Sequence, residues 1–275
     1  MNIIMLFSSY LIEHEVLLRV SLFVVTLAIM AGWERVAPAR VPRESWRRRW
    51  RTNIGAAAFN TLLLRVALPT TAIGMAEFAA AHNWGLLNHQ QTFGWLAVLI
   101  GVVTLDFIVY LQHVIFHAVP VLSRLHAAHH ADPEFDATTG IRFHPLEIVL
   151  SMLVKYAAIV ALGAPPLAVL VFELLLNLSA LFNHGNVRLP PALETVLRWV
   201  VVTPDMHRIH HSIVEVERNS NYGFCLAIWD RTLGTYTTEP AGGQAELRIG
   251  LPAYPDPRVS STLLGLLSIP FRSHV

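Results

Sequence analysis

Histidine is the residue type whose spacing in this sequence points most directly to chemistry. Two stretches, His126-Ala-Ala-His129-His130 and His207-Arg-Ile-His210-His211, both read H-x-x-H-H and lie about eighty residues apart. On a helix, positions i, i+3 and i+4 share one face, so each stretch is expected to aim three imidazoles at one point. Just upstream, His113 and His117 are spaced by one helical turn. Because imidazole is the commonest metal-binding side chain, these three clusters predict a metal site.

The number and kind of ligands narrow the identity of the metal. The clusters hold eight histidines, and because catalytic zinc usually takes three protein ligands, eight are enough for two metal ions with open positions. Ligation by histidine without carboxylates suits iron, copper or zinc and disfavours magnesium or calcium. The single cysteine, Cys225, excludes a thiolate-rich site and an intrachain disulfide. Two histidine-ligated irons could activate O2 and attack a C–H bond. A zinc-dependent membrane hydrolase and a non-enzymatic metal carrier stay open as alternatives.

Composition is typical of an integral membrane protein. Of the 275 residues, 54% are hydrophobic and 14% are charged, whereas soluble domains carry about 25% charged residues. The net charge of +1 gives no general attraction to nucleic acid. The first apolar run ends near Trp33 and is followed by arginines, not preceded by them, which predicts a retained signal anchor.

Five apolar runs are long enough to cross a bilayer, at about residues 10–33, 54–80, 93–116, 146–162 and 167–182. Seven arginines between Arg35 and Arg51 mark the first connecting loop as cytoplasmic by the positive-inside rule. Counting crossings from that loop puts every clustered histidine on the cytoplasmic side, while His82 and His89 face solvent on the other. Lys155 is the only lysine, and this preference for arginine is typical of GC-rich genomes and so favours a bacterium. The expected membrane is then the bacterial inner membrane, or the endoplasmic reticulum if the protein is eukaryotic.

Four ionisable residues lie within these runs, where charge is costly and usually paired or functional. Asp106 is expected either to pair with Arg65 or to orient a ligand histidine through its distal N–H. Lys155 and Glu173 are each nine residues from Ala164 at the tip of a predicted hairpin, so they should lie at similar depth and pair. A proton or substrate path, or a transporter, remains the alternative.

The chain is expected to form one domain over residues 1–275. Residues 10–90 supply the N-terminal spans and about 93–236 the catalytic core. The last apolar run, 259–271, is too short to cross and is expected to be an interfacial helix. Pro145 suits the first turn of one helix, and Thr203 or Asp205 suits the cap of the helix that carries His207.

Seven short motifs follow one another in order between Leu105 and Tyr236. They read Asp106-x-x-x-Tyr110-x-x-His113-x-x-x-His117, His126-x-x-His129-His130, Arg142-x-His144-Pro145-Leu146-Glu147, His184-Gly-Asn186, His207-x-x-His210-His211, Asn219-x-Asn221-Tyr222-Gly223 and Trp229-Asp230-Arg231-x-x-Gly234-Thr235. The set resembles the fatty acid hydroxylase/sterol desaturase superfamily of integral-membrane di-iron enzymes. The resemblance implies an all-α membrane protein, with about four to five transmembrane helices capped by a cytoplasmic helical lobe that carries a histidine-rich di-metal site.

The resemblance also implies an activity and a set of ligands. The activity is O2-dependent hydroxylation or desaturation of a lipid such as a sterol, fatty acyl, carotenoid or ether lipid. Two iron ions (Fe2+/Fe3+) serve as cofactor without heme, and a ferredoxin- or cytochrome b5-type carrier with its reductase supplies electrons. No catalytic side chain is expected beyond the metal centre. The implied metal ligands are His113, His117, His126, His129, His130, His184, His207, His210 and His211. The residues expected beside the ligands are Asp106, His144, Asn221 and Tyr222.

Overall fold

The computed structural model describes residues 9–89 and 94–272, and in these residues the protein is all-α, as predicted. The long helices are α1 (Glu15–Val36), α2 (Trp46–Ala67), α3 (Ala72–Ala81), α5 (Trp95–Ala118), α7 (Pro145–Leu162) and α8 (Pro166–Asn183). Shorter helices are α4 (Leu86–His89), α6 (Pro120–His130), α9 (Pro191–Leu197), α10 (Pro204–His210), α11 (Glu215–Arg218), α12 (Ile228–Leu233), α13 (Gly243–Glu246), α14 (Pro257–Ser260) and α15 (Leu263–Ser268). Two 3-10 turns cover Ala137–Ile141 and Ile269–Phe271.

Five segments of this part of the chain are long and apolar enough to cross a bilayer, with α2 to α4 counting as one. Their outer faces expose large apolar side chains, among them Leu17, Leu62 and Leu99. Such surfaces are stable where lipid replaces water as the solvent. The structure and the composition therefore agree on a multi-pass membrane protein.

The second span is divided where the sequence expected one continuous run. Helix α2 begins at Trp46, eight residues before the expected start, and ends at Ala67. Leu68 is extended (φ −112°, ψ 139°) because it precedes Pro69, which disfavours the helical conformation. The chain then re-enters a helix at Thr71, whose side chain accepts a hydrogen bond from the Gly74 N–H at 3.1 Å.

Helices α7 and α8 form the predicted hairpin. Pro145 occupies the first turn of α7, and Gly163 ends that helix with a left-handed φ of 68°. Lys155 Nζ lies 2.6 Å from Glu173 Oε1, so the predicted pairing is confirmed. The other carboxylate oxygen of Glu173 pairs with Arg19 of α1. One buried carboxylate thus connects three membrane helices.

The lobe below the bundle is held to it by buried ion pairs that the sequence did not indicate. Arg49, in the first turn of α2, is 2% exposed. Its Nε lies 2.7 Å from Asp132 Oδ1, and its guanidinium also contacts Asp136. An arginine from the stretch read as a cytoplasmic surface loop therefore fixes the chain just after the first histidine triplet.

The C-terminal apolar run, expected to form one interfacial helix over 259–271, consists of α14, α15 and the turn Ile269–Phe271. Leu266 and Ile269 pack in a buried cluster with Ala56 of α2 and Ala128 of α6. This segment covers the outer side of the helix that carries the first triplet.

Candidate metal centre

The structure gathers all nine histidines named from the sequence into two compact groups. The ligand atoms in each group lie within 4.8 Å of one another. The five-histidine group comprises His113, His117, His126, His130 and His210. The four-histidine group comprises His129, His184, His207 and His211. The groups adjoin, since the rings of His130 and His211, one from each group, stack with centroids 4.5 Å apart.

Each H-x-x-H-H stretch serves both groups, which corrects the expectation that it points at one spot. In the first stretch His126 and His130 belong to the five-histidine group, while His129 belongs to the other. In the second the pattern reverses, since His207 and His211 share the four-histidine group. Residues at i and i+4 stand above one another on a helix, whereas i+3 is rotated to the neighbouring side. The two stretches are therefore interlocked across both groups.

Four elements converge to bring the histidines together. The C-terminal end of α5 carries His113 and His117, α6 carries the first stretch, and His184 is the C-cap of α8. Helix α10 carries the second stretch. Thr203 caps α10 by accepting from the Met206 N–H, which confirms one of the two predicted caps.

In five rings Nδ1–H donates a hydrogen bond to a carbonyl or carboxylate oxygen, and this bond sets the tautomer of the ring. Where Nδ1–H donates to an oxygen, the Nε2 lone pair is left free toward the interior of the group. The pairs, with distances, are His113 to the Tyr222 carbonyl (2.8 Å), His126 to Glu147 Oε1 (2.6 Å), His129 to the Arg142 carbonyl (3.0 Å), His184 to the Ala180 carbonyl (2.9 Å) and His210 to the Ser220 carbonyl (2.8 Å).

The free lone pairs then point at one another. His113 Nε2 lies 3.0 Å from His126 Nε2, and His184 Nε2 lies 3.2 Å from His129 Nε2. Both nitrogens of each pair are acceptors once Nδ1 carries the proton, so neither contact is a hydrogen bond. Further buried ring nitrogens have no hydrogen-bond partner within residues 9–89 and 94–272, including both of His130 and both of His211. A cation in each group would take the facing lone pairs and one nitrogen of each remaining ring, so the donor set fits a metal ion in each group.

Burial favours the neutral form of four histidines outside the membrane spans. Desolvation, and next to it the charge of neighbouring histidines, lowers the pKa of His129, His130 and His211 well below the usual value. The pKa of His184 falls to about 3, mainly because it is buried. Neutral imidazoles offer lone pairs at physiological pH, which metal ligation requires.

Asp106 has neither of its predicted partners. Its carboxylate accepts from the backbone N–H of Cys225 (3.3 Å), from that of Leu226 (3.2 Å) and from Trp229 Nε1 (2.8 Å). Arg65 is exposed on α2. The carboxylate holds the loop after the second stretch against α5, and it contacts no histidine through these bonds. The sequence correctly indicated a specific role for Asp106 but predicted the wrong partners. The actual partners lie more than one hundred residues further along the chain and meet Asp106 only in the folded protein.

The other residues expected beside the ligands divide into two kinds. Tyr222 touches the five-histidine group, with its ring 5.2 Å from that of His117 and its carbonyl on His113. Asn221 (φ 52°) donates to the Met206 carbonyl at 3.1 Å and so steadies the turn of α10 that carries His207. His144 accepts from the Leu146 N–H as the cap of α7, a structural contact outside both groups.

Glu147 is the main functional residue that sequence reasoning missed. It stands in the first turn of α7, and its carboxylate holds His126. The signal was present, since one glutamate follows Pro145 by two positions at the inner end of a predicted span. A second omission is Asp230, which accepts from the backbone N–H groups of Tyr222 (2.8 Å) and Gly223 (2.7 Å). Burial raises the pKa of Asp230 to about 6.

A cavity of about 390 Å³ leads from the histidines into the membrane bundle. His113, His126 and His129 line one end, and the Lys155–Glu173 pair lines the other. Apolar side chains from α2, α5, α7 and α8 form most of the wall between them. The cavity therefore connects the histidine groups with the apolar interior of the bundle.

Comparison with known proteins assigns the family. The model of the fatty acid hydroxylase family matches residues 98–235, half of the chain. The chain belongs to the fatty acid hydroxylase family. The match contains all nine histidines and Glu147, and it confirms the superfamily that the ordered motifs indicated.

Named relatives place this family member among oxidoreductases. The ornithine lipid hydroxylase OlsE of Rhizobium tropici is 28% identical over 82% of this chain and 68% of its own length. Human alkylglycerol monooxygenase is 32% identical over 57% of this chain, and that of Xenopus tropicalis is 27% identical over 68%. The chain spans only 34% and 40% of the length of those two relatives. No solved structure matches the chain significantly.

Proposed function

We propose that this protein is a membrane di-iron monooxygenase that hydroxylates a lipid, with one iron in each histidine group. The observation that carries the proposal is the pair of adjoining histidine groups whose buried lone pairs face one another at the end of a cavity in the membrane bundle. Relatives named as lipid hydroxylase and alkylglycerol monooxygenase support the reaction type.

Iron accounts for the donor set and the family together. All nine ligands are imidazoles, which suit iron, copper or zinc. Zinc has no redox chemistry, whereas hydroxylases and monooxygenases catalyse oxidations. The alternative of a zinc hydrolase therefore does not explain why the chain is similar to these enzymes. Bound iron supplies the activation of O2 and the oxidation of a C–H bond.

The protein itself orients the ligand histidines and keeps water away from the reacting carbon. Glu147 and the Tyr222 carbonyl orient His126 and His113 through Nδ1, so that both present Nε2 to the same spot. The cavity wall holds the lipid chain among apolar side chains and keeps bulk water from the reacting carbon. Electrons come from a separate carrier of ferredoxin or cytochrome b5 type. The arginine-rich segment from Arg35 to Arg51, which ends in the first turns of α2, orients the histidine end toward the cytoplasm.

Lipid analysis of whole cells tests the activity. Cells that express the wild type should contain a lipid that carries one additional oxygen atom. Cells that express a His129→Ala/His210→Ala variant should contain only the form without that atom. Growth under isotopically labelled O2 should carry the label into that species, because a monooxygenase takes its oxygen atom from O2. His82→Ala, exposed and remote from both groups, is the matched control and should behave as wild type. Identical lipid profiles in all three strains would contradict the proposal.

A further inference from the structure

Two hydrogen-bond acceptors in the cavity wall have no partner among the residues that the structure describes. Glu147 Oε2 and Asn60 Oδ1 are buried and make no hydrogen bond to the described residues. Only 4% of Glu147 and 5% of Asn60 is exposed, and both residues line the cavity together with His113 and His126. A buried acceptor that stays unpaired is destabilising, because it has lost its hydrogen bonds to water. Two of them beside the histidines indicate a donor that is not part of the chain.

The remaining atoms of each side chain determine which oxygen is free. Glu147 uses Oε1 to accept from His126 Nδ1 at 2.6 Å, which leaves Oε2. Asn60 Nδ2 donates to the Phe143 carbonyl at 3.0 Å, which leaves Oδ1. A flipped amide would place two oxygens against each other, so the hydrogen bond to Phe143 fixes the assignment.

The deeper end of the cavity differs in this respect. Both carboxylate oxygens of Glu173 are taken, one by Lys155 and one by Arg19. Glu147 and Lys155 are eight residues apart on α7, which separates the two ends by about 12 Å along the helix axis. The free acceptors are therefore concentrated at the histidine end.

We propose that Glu147 and Asn60 bind the hydrogen-bond-donating head group of the lipid substrate, an ammonium or a hydroxyl group, and hold it beside the metal centre. This inference rests on the proposed function and names the substrate class for it. A carboxylate and an amide oxygen accept without donating, so they select primary amines and alcohols. They exclude ionised carboxylates and phosphates, and gain nothing from a quaternary ammonium.

The geometry also sets where the substrate reacts. Glu147 is bonded directly to His126, so a head group on its free oxygen lies next to the five-histidine group. The alkyl chain then extends along the apolar wall toward Lys155. The oxidised carbon is accordingly close to the head group and remote from the chain end.

Paired amphiphiles test the selection without any turnover. The metal-loaded wild type in phosphatidylcholine nanodiscs, without reductant, is titrated with competitors of radiolabelled 1-hexadecanol. Hexadecylamine should bind about tenfold or more tighter than hexadecyltrimethylammonium, which has the same charge but no N–H. 1-Hexadecanol should bind about threefold or more tighter than hexadecyl methyl ether. A preference in the first pair alone identifies the head group as an amine, and a preference in the second pair alone identifies it as an alcohol. Either result supports the proposal, as does a preference in both pairs.

Two substitutions locate the selection. Glu147→Gln retains an oxygen for His126 but replaces the free oxygen by an N–H2 donor, so the preference for hexadecylamine should disappear. Asn60→Leu removes the second acceptor, which holds no histidine by a hydrogen bond, and should reduce both preferences. Glu77→Gln, an exposed carboxylate on α3 outside the cavity, is the matched control and should keep them. Metal content is measured for each variant. If Glu147→Gln loses metal, the proposal is judged by the preferences of the wild type and of Asn60→Leu alone.

The outcomes separate this inference from the proposed function. Equal binding within both pairs by the wild type would overturn the inference, whatever lipid the cells oxidise. Unchanged preferences in Asn60→Leu would overturn it as well. If the preferences follow the variants but no lipid gains oxygen in cells, the head-group site stands and the proposed reaction fails.

Discussion

At the scale of single residues, the histidine rings are held by acceptors on other segments. Backbone carbonyls of Tyr222, Ser220 and Arg142 accept from Nδ1 of three histidines. Every residue has a carbonyl, so no sequence pattern could single these out. Glu147 is different, because a carboxylate at the inner end of an apolar run is visible in the sequence. The imidazoles were predictable by type and spacing, and most of what orients them was not.

Asp230 should stabilise the five-histidine group indirectly, through the backbone segment that contacts His113. It accepts from the Tyr222 and Gly223 N–H groups, and the Tyr222 carbonyl accepts from His113. Asp230→Ala leaves these buried donors unpaired, so the free energy of unfolding should fall by about 2–4 kcal/mol. Thermal unfolding in detergent measures this, with the exposed Glu239→Ala as control. A variant as stable as the control would contradict this role.

At the scale of elements, close backbone approach decides which histidines meet. The 3-10 turn Ala137–Ile141 lies against the end of α8, and Gly140 is the contact point. A Cβ built on Gly140 would lie 2.3 Å from the Ala180 carbonyl oxygen and 3.1 Å from His184 Nδ1. The four-histidine group therefore depends on a residue without a side chain at this position.

Gly140→Ala should affect the four-histidine group selectively. The added methyl group must displace the Ala180 carbonyl, which accepts from His184, and so shift His184 from its partners. Metal content of the purified variant should fall by about half, because the five-histidine group is untouched. Gly32→Ala on α1, where a Cβ meets nothing within 4 Å, should retain the wild-type content. Full metal content in Gly140→Ala would show that the turn tolerates movement.

At the scale of the whole molecule, the sequence predicted the all-α class, the five apolar spans, the hairpin with its Lys155–Glu173 pair, and the family. Each follows from local periodicity, from length or from ordered motifs. Long-range contacts were not predictable. The crossing of the two H-x-x-H-H stretches, the partners of Asp106 and the buried Arg49 all depend on segments brought together by folding. Helix faces define directions, and only the packed molecule shows what those directions meet.

Metal analysis of protein purified without oxygen tests the two-site account most directly. The wild type should contain about two irons per chain, because each group offers at least the three ligands that a catalytic metal needs. His117→Ala/His126→Ala/His130→Ala leaves two ligands in the five-histidine group and should lose the iron of that group. His184→Ala/His211→Ala leaves two ligands in the four-histidine group and should lose the other iron, so each variant should retain about one iron. A single zinc per chain, bound by the wild type and unaffected by either set of substitutions, would contradict the account.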